Sequence, residues 1–175
     1  MNLLVERKEH KRKKARLMTK PSVLCSTGGF CCFGGDKVKL ALLADKFYAE
    51  YSGCREILQK RNRPYACLTI EVDGVLFAIP FRHHIGHRYA FITYDDCGLY
   101  YTKAVVVKDK SYLDGAKPTI ERKEWDIIRK NESKILYEFK GFVNQYRRAM
   151  QHRDNPRSKN LLKYSALQYF EDFLL

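Results

Sequence analysis

Tyr65 to Pro80 reads YACLTIEVDGVLFAIP. Ala66, Leu68, Ile70 and Val72 alternate onto one face, Asp73-Gly74 follows, and a second apolar run climbs to Pro80. An Asp-Gly pair between two strand-like runs predicts a β-hairpin, because a type I′ turn needs positive φ at both central residues and its twist matches that of the strands. Two further strands are predicted at Tyr89–Tyr94 and Thr102–Lys108, separated by the turn-rich DDCG at 95–98. The middle of the chain is therefore a small antiparallel sheet.

Outward from the hairpin the period changes. On the N-terminal side, Leu40, Leu43, Phe47 and Tyr51 have the spacing of a short amphipathic helix over Lys39–Tyr51, and the loop QKRNRP at 59–64 leads into the first strand. Beyond Pro118, Ile120, Trp125 and Ile128, then Ile135, Phe139, Phe142 and Tyr146, predict helices with a break near Asn131. Asp154-Asn155-Pro156 ends that pattern. A last helix is expected over Leu161–Leu174, with Leu161, Tyr164, Leu167 and Phe170 inward. Strands followed by helices imply an α+β fold, a compact sheet or barrel braced by C-terminal helices, with the aromatic stripes as core.

Residues 1–36 lack this periodicity. They combine the charge run ERKEHKRKKARLMTK with a Gly- and Cys-rich stretch, and read as a disordered tail or a start placed upstream of the true one, rather than an RNA-gripping arm. Residues 37–175 are the expected domain. The six cysteines form no C-x-x-C pair, which suits reduced thiols in a cytoplasmic protein, and no apolar run has the length of a bilayer span. Thirty-three Lys and Arg against 20 Asp and Glu give a net charge of +13, which points to a polyanionic partner.

The polar residues concentrate in IPFRHHIGHRYAF at 79–91, which carries Arg82, His83, His84, His87 and Arg88. His83 and His87 have zinc-like spacing. However, Pro80 and the flanking strands exclude a helix there, and no Asp, Glu or Cys in the segment completes a site, so no metal or other cofactor is expected. Metal-free RNA cleavage needs a base for the 2′-hydroxyl, cations for the phosphate and an acid for the leaving oxygen, all of which His and Arg supply. Which histidine acts stays open, because alternation sends neighbours to opposite faces. Hairpin pairing should bring Arg63 and Arg82 to one edge of the sheet, with Lys103 nearby as a point charge for phosphate.

These segments resemble a known family. KFYAEY at 46–51, RPYACLTIEVDG at 63–74, FAIPFRHHIGHRYAF at 77–91, GLYYTKAVVV at 98–107 and KYSALQYF at 163–170 are similar, in order over the domain, to the type III toxin-antitoxin toxins of the ToxN/AbiQ family, closest to its TenpN/CptN branch. The resemblance implies a strongly curved antiparallel sheet like that of MazF and Kid. It implies sequence-selective endoribonuclease activity that leaves a 2′,3′-cyclic phosphate, with a role in phage defence or plasmid maintenance. The implied inhibitor is an antitoxin RNA pseudoknot in a closed toxin-RNA assembly, with neither DNA nor membrane as partner. It places the catalytic cation at Arg63 and active-site residues at Arg82 and His83, with His84 and His87 as competing candidates. The expected RNA-binding residues are Phe47, Tyr48, Arg61, Arg88, Thr102 and Lys103. ToxN has Thr-Ser and a nearby Lys where this chain has Arg-His-His, and Tyr100 stands where an acidic residue is expected. A non-catalytic RNA-binding protein is the alternative reading, and a DNA-binding regulator lacks any recognition-helix pattern.

Overall fold

The computed structural model describes residues 38–59, 66–116 and 118–175, which fall within one compact unit. The predicted hairpin is present as β2 (Cys67–Val72) and β3 (Val75–Arg82), paired in register from Val72↔Val75 to Cys67↔Pro80. Asp73 and Gly74 have φ of 52° and 81°, the positive pair that a type I′ turn requires. The tip is held down from outside: Asp73 accepts from Lys140 at 2.6 Å and Arg147 at 2.7 Å, and these two cations hold its carboxyl below the usual range.

β3 is the hub of a seven-stranded antiparallel sheet. One edge carries β2, which pairs in turn with β1 (Val38–Leu43), and β1 pairs with β7 (Leu113–Asp114). The other edge is divided. Phe77 and Ala78 pair with β6 (Val105–Val106), whereas Phe81 and Arg82 pair with β5 (Cys97–Tyr100), which forms a second hairpin with β4 (Ala90–Tyr94). That hairpin depends on Gly98, where a Cβ would stand 2.0 Å from the Phe91 carbonyl oxygen.

Helices α1 (Asp45–Glu50), α2 (Arg122–Lys130), α3 (Glu132–Gln151) and α4 (Pro156–Tyr164) complete the α+β fold. The expected break falls at Asn131, between α2 and α3. Ile135, Phe139, Phe142, Val143 and Tyr146 bury one stripe of α3, and Phe139 meets Phe77 of β3 edge to face at 5.2 Å. α4 is capped by Asn155, whose side chain accepts from the Arg157 amide, with Pro156 in the first turn. No described helix is long and apolar enough to cross a membrane.

Three predicted elements are corrected. The helix expected over Lys39–Tyr51 is a strand followed by the short α1, because VKLALL pairs antiparallel with the edge of β2 and buries Val38, Ala41 and Leu43 while Lys39 stays exposed. The strand expected over Thr102–Lys108 shrinks to Val105–Val106. With β5 occupying the end of β3, the chain steps out of the sheet through a 3-10 turn at Tyr101–Lys103. The last helix is displaced: α4 ends at Tyr164, Ser165 caps a 3-10 turn over Ala166–Tyr169 by accepting from the Leu167 amide, and Tyr164 is exposed rather than inward.

Candidate nucleic-acid cleavage site

The segment after β3 makes a sharp loop. His84 adopts a positive φ of 60°, and the Ile85 amide donates to the Asp96 carbonyl at 3.0 Å, so the loop is tied back over the β4–β5 turn. This folding-back separates the three histidines. His83 Nδ1 lies 2.8 Å from Cys97 Sγ, and His84 Nδ1 lies 2.6 Å from Asp96 Oδ2. Burial and the Asp96 carboxylate push the Cys97 thiol up, so it keeps its proton.

His87 goes elsewhere. Its ring lies on Tyr100, with centroids 4.6 Å apart and planes inclined by 30°, at the wall of a groove of about 520 Å³. Tyr100, Thr102 and Lys103 of the sheet side line this groove opposite Arg157, Asn160 and Tyr164 of α4. His87 is exposed as a residue, yet contact with the wall removes enough water to lower its pKa; a hydrogen bond with its own backbone raises it in part, and the nearby Lys103 and Arg82 charges lower it again. The Tyr89 amide donates to Nδ1 at 3.2 Å, which leaves the proton of the neutral ring on Nε2.

The 3-10 turn that replaces the expected strand delivers Lys103 to this place. Its half-buried Nζ donates to the Tyr164 carbonyl at 3.0 Å. Burial lowers its pKa, Glu56 raises it, and Arg82 lowers it again. Arg82, at the end of β3, sets its guanidinium 5.3 Å from the Tyr100 ring centroid. Arg88 extends the basic rim, over the Tyr89 ring at 4.8 Å and bonded to its hydroxyl at 2.7 Å.

Of the expected site residues, Arg82, His87, Arg88, Thr102 and Lys103 are thus brought together, whereas His83 and His84 face the Asp96–Cys97 corner. Tyr48 is buried and lines a small crevice that Lys103 also lines. Phe47 has no exposed surface; its ring packs on Tyr51 at 4.8 Å and Tyr112 at 5.6 Å, which leaves no face for a base. Arg61 and Arg63 lie outside the described residues. Sequence reasoning missed Arg157, Asn160 and Tyr164, for which the misplaced last helix gave no cue. Among the described residues, no three of His, Cys, Asp or Glu are grouped to hold a metal ion.

No family model matches this chain, and neither a curated protein nor a solved structure is significantly similar to it.

Proposed function

We propose that this chain is a metal-independent endoribonuclease, a toxin of the type III toxin-antitoxin class that is restrained by a structured repeat RNA. The observation that carries the reading is the convergence, in one open groove, of an imidazole and a lysine whose pKa values are both lowered, with Arg82 and Arg88 beside them. Such a groove attracts a phosphodiester, and the net charge of +13 draws polyanions toward it. The strongly curved, MazF- and Kid-like form of the sheet belongs to the same proposal. It is supported by the divided edge of β3, which sends β5 and β6 separate ways.

In the proposed reaction the 2′-oxygen bonds to phosphorus, the bond from phosphorus to the 5′-oxygen breaks, and a 2′,3′-cyclic phosphate remains. Lys103 takes the 2′-hydroxyl proton from its deprotonated fraction, which burial enlarges by lowering its pKa from the ordinary lysine value. His87 acts as a donor: its lowered pKa keeps it neutral, and Nε2–H meets the phosphate oxygen on which charge grows. Arg82 adds fixed positive charge, and water in the open groove protonates the departing 5′-oxygen. On this reading the proton transfer expected of a histidine falls to Lys103, and His87, not His83 or His84, is the imidazole at the phosphate.

The test is incubation of the purified full chain with total RNA in excess chelator. Fragments with 2′,3′-cyclic ends, lost in Lys103→Ala and suppressed by a tandem-repeat RNA encoded beside the gene, are the expected result. Intact RNA that stays bound would overturn the enzyme in favour of an RNA-binding module.

A further inference from the structure

Beside the groove lies a second depression of about 410 Å³, lined by Arg88, Tyr89, Tyr101, Glu138, Gly141 and Gln145, among others. The two share Arg88 and Tyr89 as their common rim. A strand with its scissile phosphate at Lys103 and His87 meets this rim on leaving the groove, with Arg88 placed for the next phosphate. Inside the Arg88 rim, two groups of the second depression can accept. Gln145 Nε2 donates to the Tyr89 hydroxyl at 3.0 Å, which leaves the amide oxygen as acceptor, and the Glu138 carboxylate, which accepts from the Tyr101 hydroxyl at 3.3 Å and lies 3.8 Å from the Lys134 ammonium, has lone pairs to spare. Phe142, buried with its ring 5.5 Å from that of Tyr89, backs the lining from below.

Gly141 is the second observation. It sits in the interior of α3, where glycine costs about 0.5–1 kcal/mol relative to alanine. A Cβ there would meet nothing within 4 Å, so packing does not require glycine. Gly141 lines the depression, so a larger side chain there would take up part of it.

We infer that this depression is a base-recognition subsite for an unpaired nucleotide adjoining the cleaved bond, and that Gln145 and Glu138 select a base with an exocyclic amino group over uracil. The subsite rests on the endoribonuclease reading for its place beside the scissile phosphate, but its occupant is read without cleavage. Cytosine and uracil make the cleanest pair: they match in size, and at C4 cytosine carries an amino group whose two hydrogens can meet two acceptors where uracil presents a carbonyl oxygen.

The experiment measures the affinity of the full chain for 2′-O-methyl hexamers of cytidine and of uridine, which the proposed reaction cannot cut. Cytidine should bind about three- to tenfold more tightly, the value of one well-placed hydrogen bond. Gln145→Leu should remove that preference, as should Gly141→Leu, which fills the depression while improving helix propensity. Melting curves confirm that both variants fold. Equal binding of the two hexamers, no binding of either, or a preference that survives in both variants would overturn the subsite. The catalytic reading fails on a different result, the absence of chelator-resistant cyclic-ended fragments. A cytidine preference without cleavage would keep the subsite and discard the enzyme.

Discussion

His87 stands between Tyr100 and two cations, while His83 and His84, from the same loop, turn to a thiol and a carboxylate at the Asp96–Cys97 corner. The loop's left-handed step at His84 produces this divergence. The first setting desolvates a ring, lowers its pKa and aims a donor at a groove. The second ties two rings to partners of the neighbouring strand; His84 and Asp96 have side chains 89% and 47% exposed, so their pair is screened by solvent. Three chemically identical side chains therefore stand in different surroundings, set by what lies against each.

The sharpest way to break the contrast is to remove the groove side. Lys103→Ala should lower single-turnover cleavage by about 10²- to 10⁴-fold as a lost base, and His87→Ala by about 10²- to 10³-fold as a lost donor. His87→Gln should recover part of the rate, because an amide also donates. A glutamine variant as slow as the alanine one would instead make His87 a proton-transfer group. If Lys103→Ala only weakens RNA binding and flattens its salt dependence by about one unit of slope, Lys103 is a phosphate contact and not the base.

Next in size is Gly98→Ala, which strikes both settings at once. The added Cβ meets the Phe91 carbonyl oxygen at 2.0 Å, so β4 and β5 must part, at a cost of about 3 kcal/mol, the upper end for overpacking. Chemical denaturation reads this directly, and an unchanged midpoint would show that the hairpin is not the platform for the site.

A smaller effect concerns pH. The rate should rise as Lys103 loses its proton, at an apparent pKa below the ordinary lysine value. Arg82 lowers that pKa, so Arg82→Ala shifts the rise to higher pH; Glu56 raises it, so Glu56→Gln shifts the rise to lower pH. Shifts in the same direction would remove Lys103 from the role. The least effect is expected at the other corner. His84→Ala and Asp96→Asn should leave cleavage within a few-fold of the unsubstituted chain and melting nearly unchanged, as an exposed pair allows. A collapse of activity in either would reverse the assignment of the histidines.

Local patterns decided much of the fold. The Asp-Gly turn, the strand that leads into it, the break at Asn131 and the stripe from Ile135 to Tyr146 are statements about neighbours in sequence, and the structure has them all, although Cys67 and Thr69 are buried together with the expected face of Leu68, Ile70 and Val72. The density of His and Arg after Pro80 likewise marked the loop that borders the groove, through His87 and Arg88. Competition between distant segments was not legible. β1 replaces a helix because β2 offers an edge; Lys103 leaves the sheet because β5 already occupies the end of β3; Tyr164 turns outward where Ser165 ends α4. The choice of His87 over its neighbours belongs to the same class. Sequence by itself determined which residue types were available and which short elements they favour, since turn dihedrals and periodicity act over a few residues. Only the tertiary structure decided which rings meet cations and which meet a carboxylate, because desolvation and charge depend on segments far apart along the chain.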